Sequence, residues 1–143
     1  MTKYNCGEID NCGVVSFFSN EEDGKILLLV KDKMLLLLHK MLFNYYGYRV
    51  KAIAKPEVIC GYLKIYRPAL VVFDMDIRKS LCKKIAAYLK KAKIPTLLII
   101  NSGDECDVCK YLEPGMCDYV DSLSDEIHLI IKKAERLMKG GGG

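Results

Sequence analysis

The sequence predicts an α/β protein built on one doubly wound parallel sheet, and three observations carry that prediction. Continuous apolar runs of β-favouring residues recur along the chain, and such runs are typical of strands that are covered on both faces. Segments with apolar residues at helical spacing separate these runs, in strict alternation over five strands and five helices. Right-handed crossovers then place the helices on both faces of a single sheet.

The five strands differ in how deeply they are expected to lie. Three of them are continuous apolar runs and are predicted as central strands, whereas the second alternates apolar and polar residues like a half-exposed edge strand. The fifth is short. The predicted strands cover 26–30, 48–53, 68–73, 94–100 and 117–120.

Four of the five helices have a start or a stop signal. Gly47 is predicted to cap the end of the first helix, and Pro56 occupies the first turn of the second, where its missing N–H costs nothing. Pro114 and Gly115 end the fourth, and Ser124 caps the start of the fifth. The predicted helices cover 34–43, 56–66, 79–92, 105–112 and 125–139.

The composition places these elements in one globular domain. The chain has 143 residues, of which 51% are hydrophobic, with four Pro. This excludes collagen, coiled coil and wholesale disorder. No apolar stretch exceeds five residues, far short of the ~18 that a membrane-spanning helix needs. We expect a polar extension over 1–24, the domain over 25–139 and a glycine tail over 140–143.

The cysteines and the first residues indicate the compartment. The opening residues carry no signal or transit pattern, which predicts a cytoplasmic protein. Seven cysteines, an odd number, then predict reduced thiols rather than a disulfide framework. Cys106 and Cys109 form a C-x-x-C pair, but no second pair and no nearby His support a zinc site.

Carboxylates follow two of the central strands. Asp32 comes shortly after the first strand and Asp74 directly after the third. In a doubly wound sheet the functional crevice lies at the carboxyl ends of the strands. Two carboxylates and a backbone carbonyl suit Mg²⁺, and a charge-neutralised carboxylate can accept a phosphoryl group.

An ordered set of segments resembles the receiver domain of two-component response regulators. No segment is specific alone, but together they span about 25–139 in the family's order. The resemblance implies a CheY-like, flavodoxin-like (βα)5 fold with strand order 2-1-3-4-5, acting in signalling rather than as an enzyme. The segments that carry it are 25–32, 47–50, 68–74, the strand entry at 94–95 and 115–120.

The resemblance also assigns site residues, with several departures from the family pattern. Asp74 falls on the phosphoacceptor position and Asp32 on an acidic position that ligates Mg²⁺, while Asp76 would supply a backbone carbonyl to the metal. Lys31 replaces a second acid. It either takes over part of the role of the metal or of the missing strand-five Lys, or points into solvent.

Three further positions of the family pattern concern switching. Ile100 replaces the hydroxyl residue of strand four, and Ser122 replaces the Lys that pairs with an aspartyl phosphate. Tyr119 falls on the strand-five position where the family has an aromatic residue that takes part in switching. Each missing charge-assisted hydrogen bond is worth ~1.5–3 kcal/mol to a bound phosphoryl group.

Two functions therefore stay open. One is a phosphorelay receiver that accepts a phosphoryl group on Asp74 with Mg²⁺, and the other is a degenerate pseudo-receiver that docks partners without phosphorylation. The implied partners are a sensor histidine kinase or phosphotransfer protein, and an effector or output domain on the face formed by 105–112, 117–120 and 125–139. A homodimer is a further option. No membrane partner is expected.

The remaining polar residues have simpler interpretations. His39 and His128 each lie within a helix without a catalytic partner nearby, which predicts surface or packing roles. The net charge of +4 hides a basic stretch over 78–93 and an acidic one over 104–126. The basic stretch lacks the interleaved aromatics of a nucleic-acid site. A nucleotide-binding enzyme is disfavoured because no glycine-rich loop follows the first strand.

Overall fold

Five parallel strands form one sheet, as the alternation of elements predicts. The structure is a computed structural model that describes residues 24–100, 107–121 and 126–139. The strands are β1 (Lys25–Val30), β2 (Arg49–Ile53), β3 (Leu70–Asp74), β4 (Thr96–Ile100) and β5 (Cys117–Asp121). Their order in the sheet is β2-β1-β3-β4-β5, which confirms the flavodoxin-like topology.

Four α-helices cover the two faces of the sheet in the described part of the chain. Two single turns of 3-10 helix, Pro56–Val58 and Val108–Tyr111, accompany them. The third helix has the predicted bounds. The α-helices are α1 (Lys33–Tyr45), α2 (Ile59–Tyr66), α3 (Lys79–Ala92) and α4 (His128–Met138).

The prediction of a fifth α-helix over 105–112 is wrong in its described part. Only one 3-10 turn forms there, at Val108–Tyr111, and Leu112 is already extended. Pro114 follows two residues later and cannot continue a helix, so the segment is too short for α-helical hydrogen bonds to build up. Residues 105 and 106 lie outside the described residues.

Two hydrophobic cores lie on opposite faces of the sheet. One packs α2 and α3 against the sheet through residues such as Leu63 and Ile85. The other packs α1 and α4 against the opposite face through Phe43 and Ile131. β1 and β3 are buried along nearly their whole length, because both cores cover them.

The turn after α1 fixes the entry to β2. Gly47 adopts a φ of 92°, a left-handed conformation that glycine reaches without a steric penalty, so the predicted cap is confirmed. The Tyr48 hydroxyl then donates to Glu135 Oε2 on α4 at 3.1 Å. Burial, and then the Glu135 carboxylate, raise the pKa of Tyr48.

Some predictions fall outside the described residues. These include the extension up to residue 23, the tail over 140–143, Ser122 and Ser124. The domain limits therefore stay a prediction. Within the described ranges, no helix combines the length and the apolarity that crossing a membrane requires.

Candidate functional site

Asp74 is the last residue of β3 and lies at the carboxyl edge of the sheet. It is paired in register with Val30 of β1, so both central strands end at the same level. Only 5% of the residue is exposed. A carboxylate at this depth needs polar partners, because burying a charge without them is costly.

His39 of α1 provides one of those partners. Its Nε2 lies 2.7 Å from Asp74 Oδ2, and the exposed fractions of the two side chains are 7% for His39 and 2% for Asp74. This distance is that of a short, charge-assisted hydrogen bond. Of the two roles predicted for His39, the buried packing role is the one that the structure shows. The prediction missed its carboxylate partner, Asp74.

The second ring nitrogen of His39 constrains how the pair is protonated. Nδ1 is buried and has no hydrogen-bond partner within the described ranges. A buried N–H without an acceptor is costly, whereas an unpaired lone pair is tolerated more easily. We therefore assign the ring proton to Nε2, so that His39 donates to Asp74.

The Asp32 side chain caps the start of α1. Oδ1 accepts hydrogen bonds from the backbone N–H groups of Met34 at 2.8 Å and Leu35 at 3.1 Å. An Asp at this position satisfies amides that the first helical turn leaves unpaired. The residue itself is exposed. One of its two oxygens thus has a structural role.

Lys31 precedes this cap and is also exposed. No ion pair joins its ammonium group to Asp32 or to Asp74, although all three residues lie within the described ranges. The structure therefore shows the solvent-facing alternative for Lys31. It does not show a lysine that replaces a metal beside the acceptor carboxylate.

The other predicted site residues lie at the same edge of the sheet or beside it. Asp76 is exposed in the loop after β3, and Ile100 is half-buried at the end of β4. Ile100 packs against the α2 and α3 core, so an apolar side chain stands where the family has a hydroxyl. Ser122 is outside the described residues.

Tyr119 points away from the core. Its side chain is 56% exposed, and the Lys133 ammonium group lies 5.3 Å from the ring centroid. Lys133 also donates to the Tyr119 carbonyl oxygen at 2.7 Å. These contacts hold β5 to α4 and place the aromatic ring in an outward orientation.

The described donors fit a Mg²⁺ ion poorly. One Asp74 oxygen is bonded to His39, and one Asp32 oxygen caps a helix. Within the described ranges, no cluster of three His, Cys, Asp or Glu side chains could hold a metal ion. Mg²⁺ is usually held by one or two carboxylates and several waters, and here each of the two candidate carboxylates has one oxygen already engaged.

Two cysteines form a bond that the odd cysteine count did not predict. Cys109 of the 3-10 turn and Cys117 of β5 are joined as a disulfide, with their Cα atoms 5.7 Å apart. The prediction of reduced thiols is wrong for this pair. The fold brings the turn against the start of β5 at a separation that suits a disulfide. Cys60 and Cys82 are free thiols.

The spacing of residues in α1 indicates that His39 faces the core. The inward face of α1 includes Leu36, His39 and Phe43, at spacings of three and four residues. That spacing places a histidine on the buried stripe of a helix that directly follows β1. Its distance to β3 could not be deduced, because it depends on how the helix is rotated against the sheet.

Several solved structures that superpose on this chain are receiver domains. The receiver domain of a sensor histidine kinase from Pseudomonas aeruginosa, with magnesium in its active-site cleft, superposes with a TM-score of 0.66 at 16% identity, over 81% of this chain and 98% of that chain. A signal receiver domain of a histidine kinase from Syntrophus aciditrophicus gives 0.65 at 21% identity, over 82% and 91%. The receiver domain of a Francisella response regulator gives 0.65 at 17%, over 82% and 98%.

These similarities establish the CheY-like fold. The sequence itself matches no protein-family model, and no curated protein matches it either. Because the identities to the solved structures are low, the role of each site residue has to be argued from the geometry described above.

Proposed function

We propose that the chain is a receiver-fold signalling module of the cytoplasm that works through protein contacts and does not depend on phosphorylation of Asp74. It is not an enzyme in this proposal. Its partners are proteins of two-component signalling, either a histidine kinase or phosphotransfer protein, or an effector that reads its surface.

The hydrogen bond between His39 and Asp74 is the observation that carries this proposal. A phosphoryl acceptor must present a carboxylate oxygen to an incoming phosphorus atom, with a cation nearby to neutralise charge. Here Oδ2 is bonded to a buried imidazole, and the acceptor side chain is only 2% exposed. With Oδ2 held in this way, a phosphoryl group would have to form on Oδ1 beside the imidazole or displace His39 from its place between α1 and the sheet.

Few of the described groups near Asp74 could stabilise a phosphoryl group. Ile100 cannot donate a hydrogen bond to a phosphoryl oxygen, and Lys31 is exposed to solvent. Asp32 has an oxygen engaged in the helix cap. The described residues thus favour a stable, unmodified Asp74 over a switch.

The docking surface that we propose is the described part of the predicted output face. It comprises the turn Val108–Tyr111, β5 and α4. Tyr119 presents an exposed aromatic ring there, and Asp118 forms ion pairs with Lys133 and Arg136. Exposed aromatic and arginine side chains are frequent anchors of protein interfaces.

The second candidate function is phosphorelay signalling through Asp74 with Mg²⁺. One observation favours it: the carboxylate lies at the carboxyl end of a central strand, where the resemblance places the phosphoacceptor. The two functions differ in whether this carboxylate can be modified while the protein stays folded.

Incubation with acetyl phosphate or beryllofluoride and Mg²⁺ decides between them. Intact mass spectrometry and NMR are run beside a receiver domain that is known to be modified under the same conditions. We expect no adduct on the wild-type chain. An adduct that disappears in Asp74→Asn would overturn the proposal and establish the phosphorelay.

Two histidine variants test whether His39 is the block. His39→Ala removes the imidazole from Asp74, and His128→Ala removes an exposed histidine as the matched control. If His39 alone prevents modification, His39→Ala gains an adduct and His128→Ala does not. If neither variant is modified, the missing hydroxyl, lysine and acid contribute to the loss as well.

A further inference from the structure

One face of α1 is apolar and exposed, which is unusual for a surface helix. Five of its large apolar side chains are 49–72% exposed and recur at spacings of three and four residues, so they form one stripe. Soluble monomers seldom expose a contiguous apolar patch larger than a few hundred Å². We call this stripe the α1 face; it consists of Met34, Leu37, Leu38, Met41 and Tyr45.

The charges around the α1 face are mostly positive, and the one acid beside it, Asp32, has an oxygen bonded to the first-turn amides. Lys33 and Lys40 are exposed on the helix, Lys31 is exposed just before it, and α1 contains no acidic residue. An occupant that fits this surface therefore combines apolar side chains with negative charge.

The residues that precede β1 have this composition. Residues 14–18 read Val-Val-Ser-Phe-Phe, which supplies four apolar side chains within five residues. The first 23 residues carry one basic residue, Lys3, and five acids. The acids are Glu8, Asp10, Glu21, Glu22 and Asp23.

The position of Gly24 puts the α1 face within reach of this segment. Lys25 pairs in register with Arg49, and α1 ends at Tyr45, only four residues before Arg49. The chain therefore enters β1 at the edge of the sheet where α1 ends. Position 18 is six positions before Gly24, a stretch of chain that can span up to ~20 Å, while the whole α1 face extends only ~16 Å along the helix.

We propose that residues 14–18 of this chain dock on the α1 face and cover its apolar stripe. The acids of the extension then lie near Lys33 and Lys40. This interaction is independent of the state of Asp74, and so its test is separate from that of the proposed function.

Methionine oxidation in the full chain tests the proposal directly. Dilute hydrogen peroxide oxidises exposed methionines, and peptide mass spectrometry gives the rate at each position. Met34 and Met41 report on the α1 face, while Met116 and Met138 report on the rest of the fold. Because only the undocked fraction reacts, a segment that is docked for about two thirds of the time slows oxidation about threefold.

The decisive variant is Phe17→Ser with Phe18→Ser, which removes the aromatic side chains of the segment. Asn11→Ser with Asn20→Ser makes the same change at polar positions and is the matched control. We expect Met34 and Met41 to be oxidised about threefold faster in the phenylalanine variant. Equal rates at Met34 and Met41 in the wild type and both variants would overturn the proposal.

Protein concentration distinguishes this segment from a second copy of the chain. Docking within one chain protects Met34 and Met41 to the same extent at all concentrations, whereas protection by a second copy rises with concentration. Protection that rises with concentration and persists in the phenylalanine variant would therefore overturn the proposal in favour of a dimer. Sedimentation of the same samples gives the oligomeric state.

A fluorescent reporter tests the contact from the other side. The chain contains no Trp, so Phe17→Trp introduces the only Trp, which can be excited selectively over the tyrosines and whose emission wavelength reports its burial. Leu38→Glu on the α1 face is expected to shift that emission to the red. Ile65→Glu is the matched control, because Ile65 is 85% exposed on α2, and it is expected to cause no shift. Emission typical of a solvated Trp in all three proteins would contradict the docking.

Discussion

The buried hydrogen bond between His39 and Asp74 should contribute strongly to the free energy of unfolding. Removing one partner of a buried, charged hydrogen bond costs about 3–5 kcal/mol, because the remaining charge keeps its desolvation cost. We expect His39→Ala to lower the free energy of unfolding by this amount. The loss also includes the cavity left by the imidazole.

The pair of His128 and Glu126 provides an internal comparison. Its Nε2 to Oε2 distance is 3.0 Å, but the exposed fractions of the two side chains are 59% and 78%. Exposed ion pairs contribute about 0–1 kcal/mol. The two pairs thus have similar geometry and differ mainly in burial, so we expect His128→Ala to lower the unfolding free energy by less than about 1 kcal/mol.

A double-mutant cycle isolates the coupling from the cavity. Urea unfolding is followed by circular dichroism for His39→Ala, Asp74→Ala and the double variant, with equal m-values as the check on comparability. We expect a coupling energy of about 1.5–3 kcal/mol for the buried pair. A coupling below about 0.5 kcal/mol, equal to that of the exposed pair, would refute the assignment of a charge-assisted hydrogen bond.

Three further predictions concern the cap, the disulfide and a buried phenol. Asp32→Ala should lower the unfolding free energy by about 1 kcal/mol and Asp32→Asn by only a few tenths; equal losses in urea unfolding would contradict the capping role. Cys109 and Cys117 are eight residues apart, so a reductant should cost about 2–3 kcal/mol of stability; a melt unchanged by reductant would show that the bond does not form. Burial raises the pKa of Tyr66 from 10.0 to about 12, against the opposing effect of a nearby arginine. Between these pH values the unfolded chain loses the phenolic proton first, so stability falls as the pH rises. Tyr66→Phe should reduce this loss of unfolding free energy with pH, whereas Tyr45→Phe, which changes a residue that is 72% exposed, should not. If the unfolding free energy falls equally with pH in both variants, Tyr66 is not the cause.

The strands and helices were predictable because each bears a local pattern. Val71 and Val72 lie in an uninterrupted apolar run, and only a strand with helices on both faces buries such a run completely. The bounds of α3 were predicted to the residue from its basic and apolar periodicity. The helix over 105–112 was predicted wrongly in its described part, since Pro114 leaves too little chain for a stable α-helix.

The candidate site was predictable only in part. Asp32 follows β1 and Asp74 ends β3, and the carboxyl ends of parallel strands lie at one edge of the sheet. The sequence did not reveal that Asp32 would cap α1, because a capping Asp and a metal-binding Asp at a strand end have the same local pattern. The side-chain geometry alone distinguishes the two roles.

The sequence by itself determined the α/β class, the number of strands and the acid at the end of β3, because these depend on periodicity and composition within short windows. The tertiary structure decided what that acid contacts. His39 and Asp74 are 35 residues apart, and Cys109 meets Cys117 across a turn. Such contacts depend on how a helix is rotated on the sheet and how a loop returns to it. Packing of the whole domain sets those two quantities, and no local pattern encodes them.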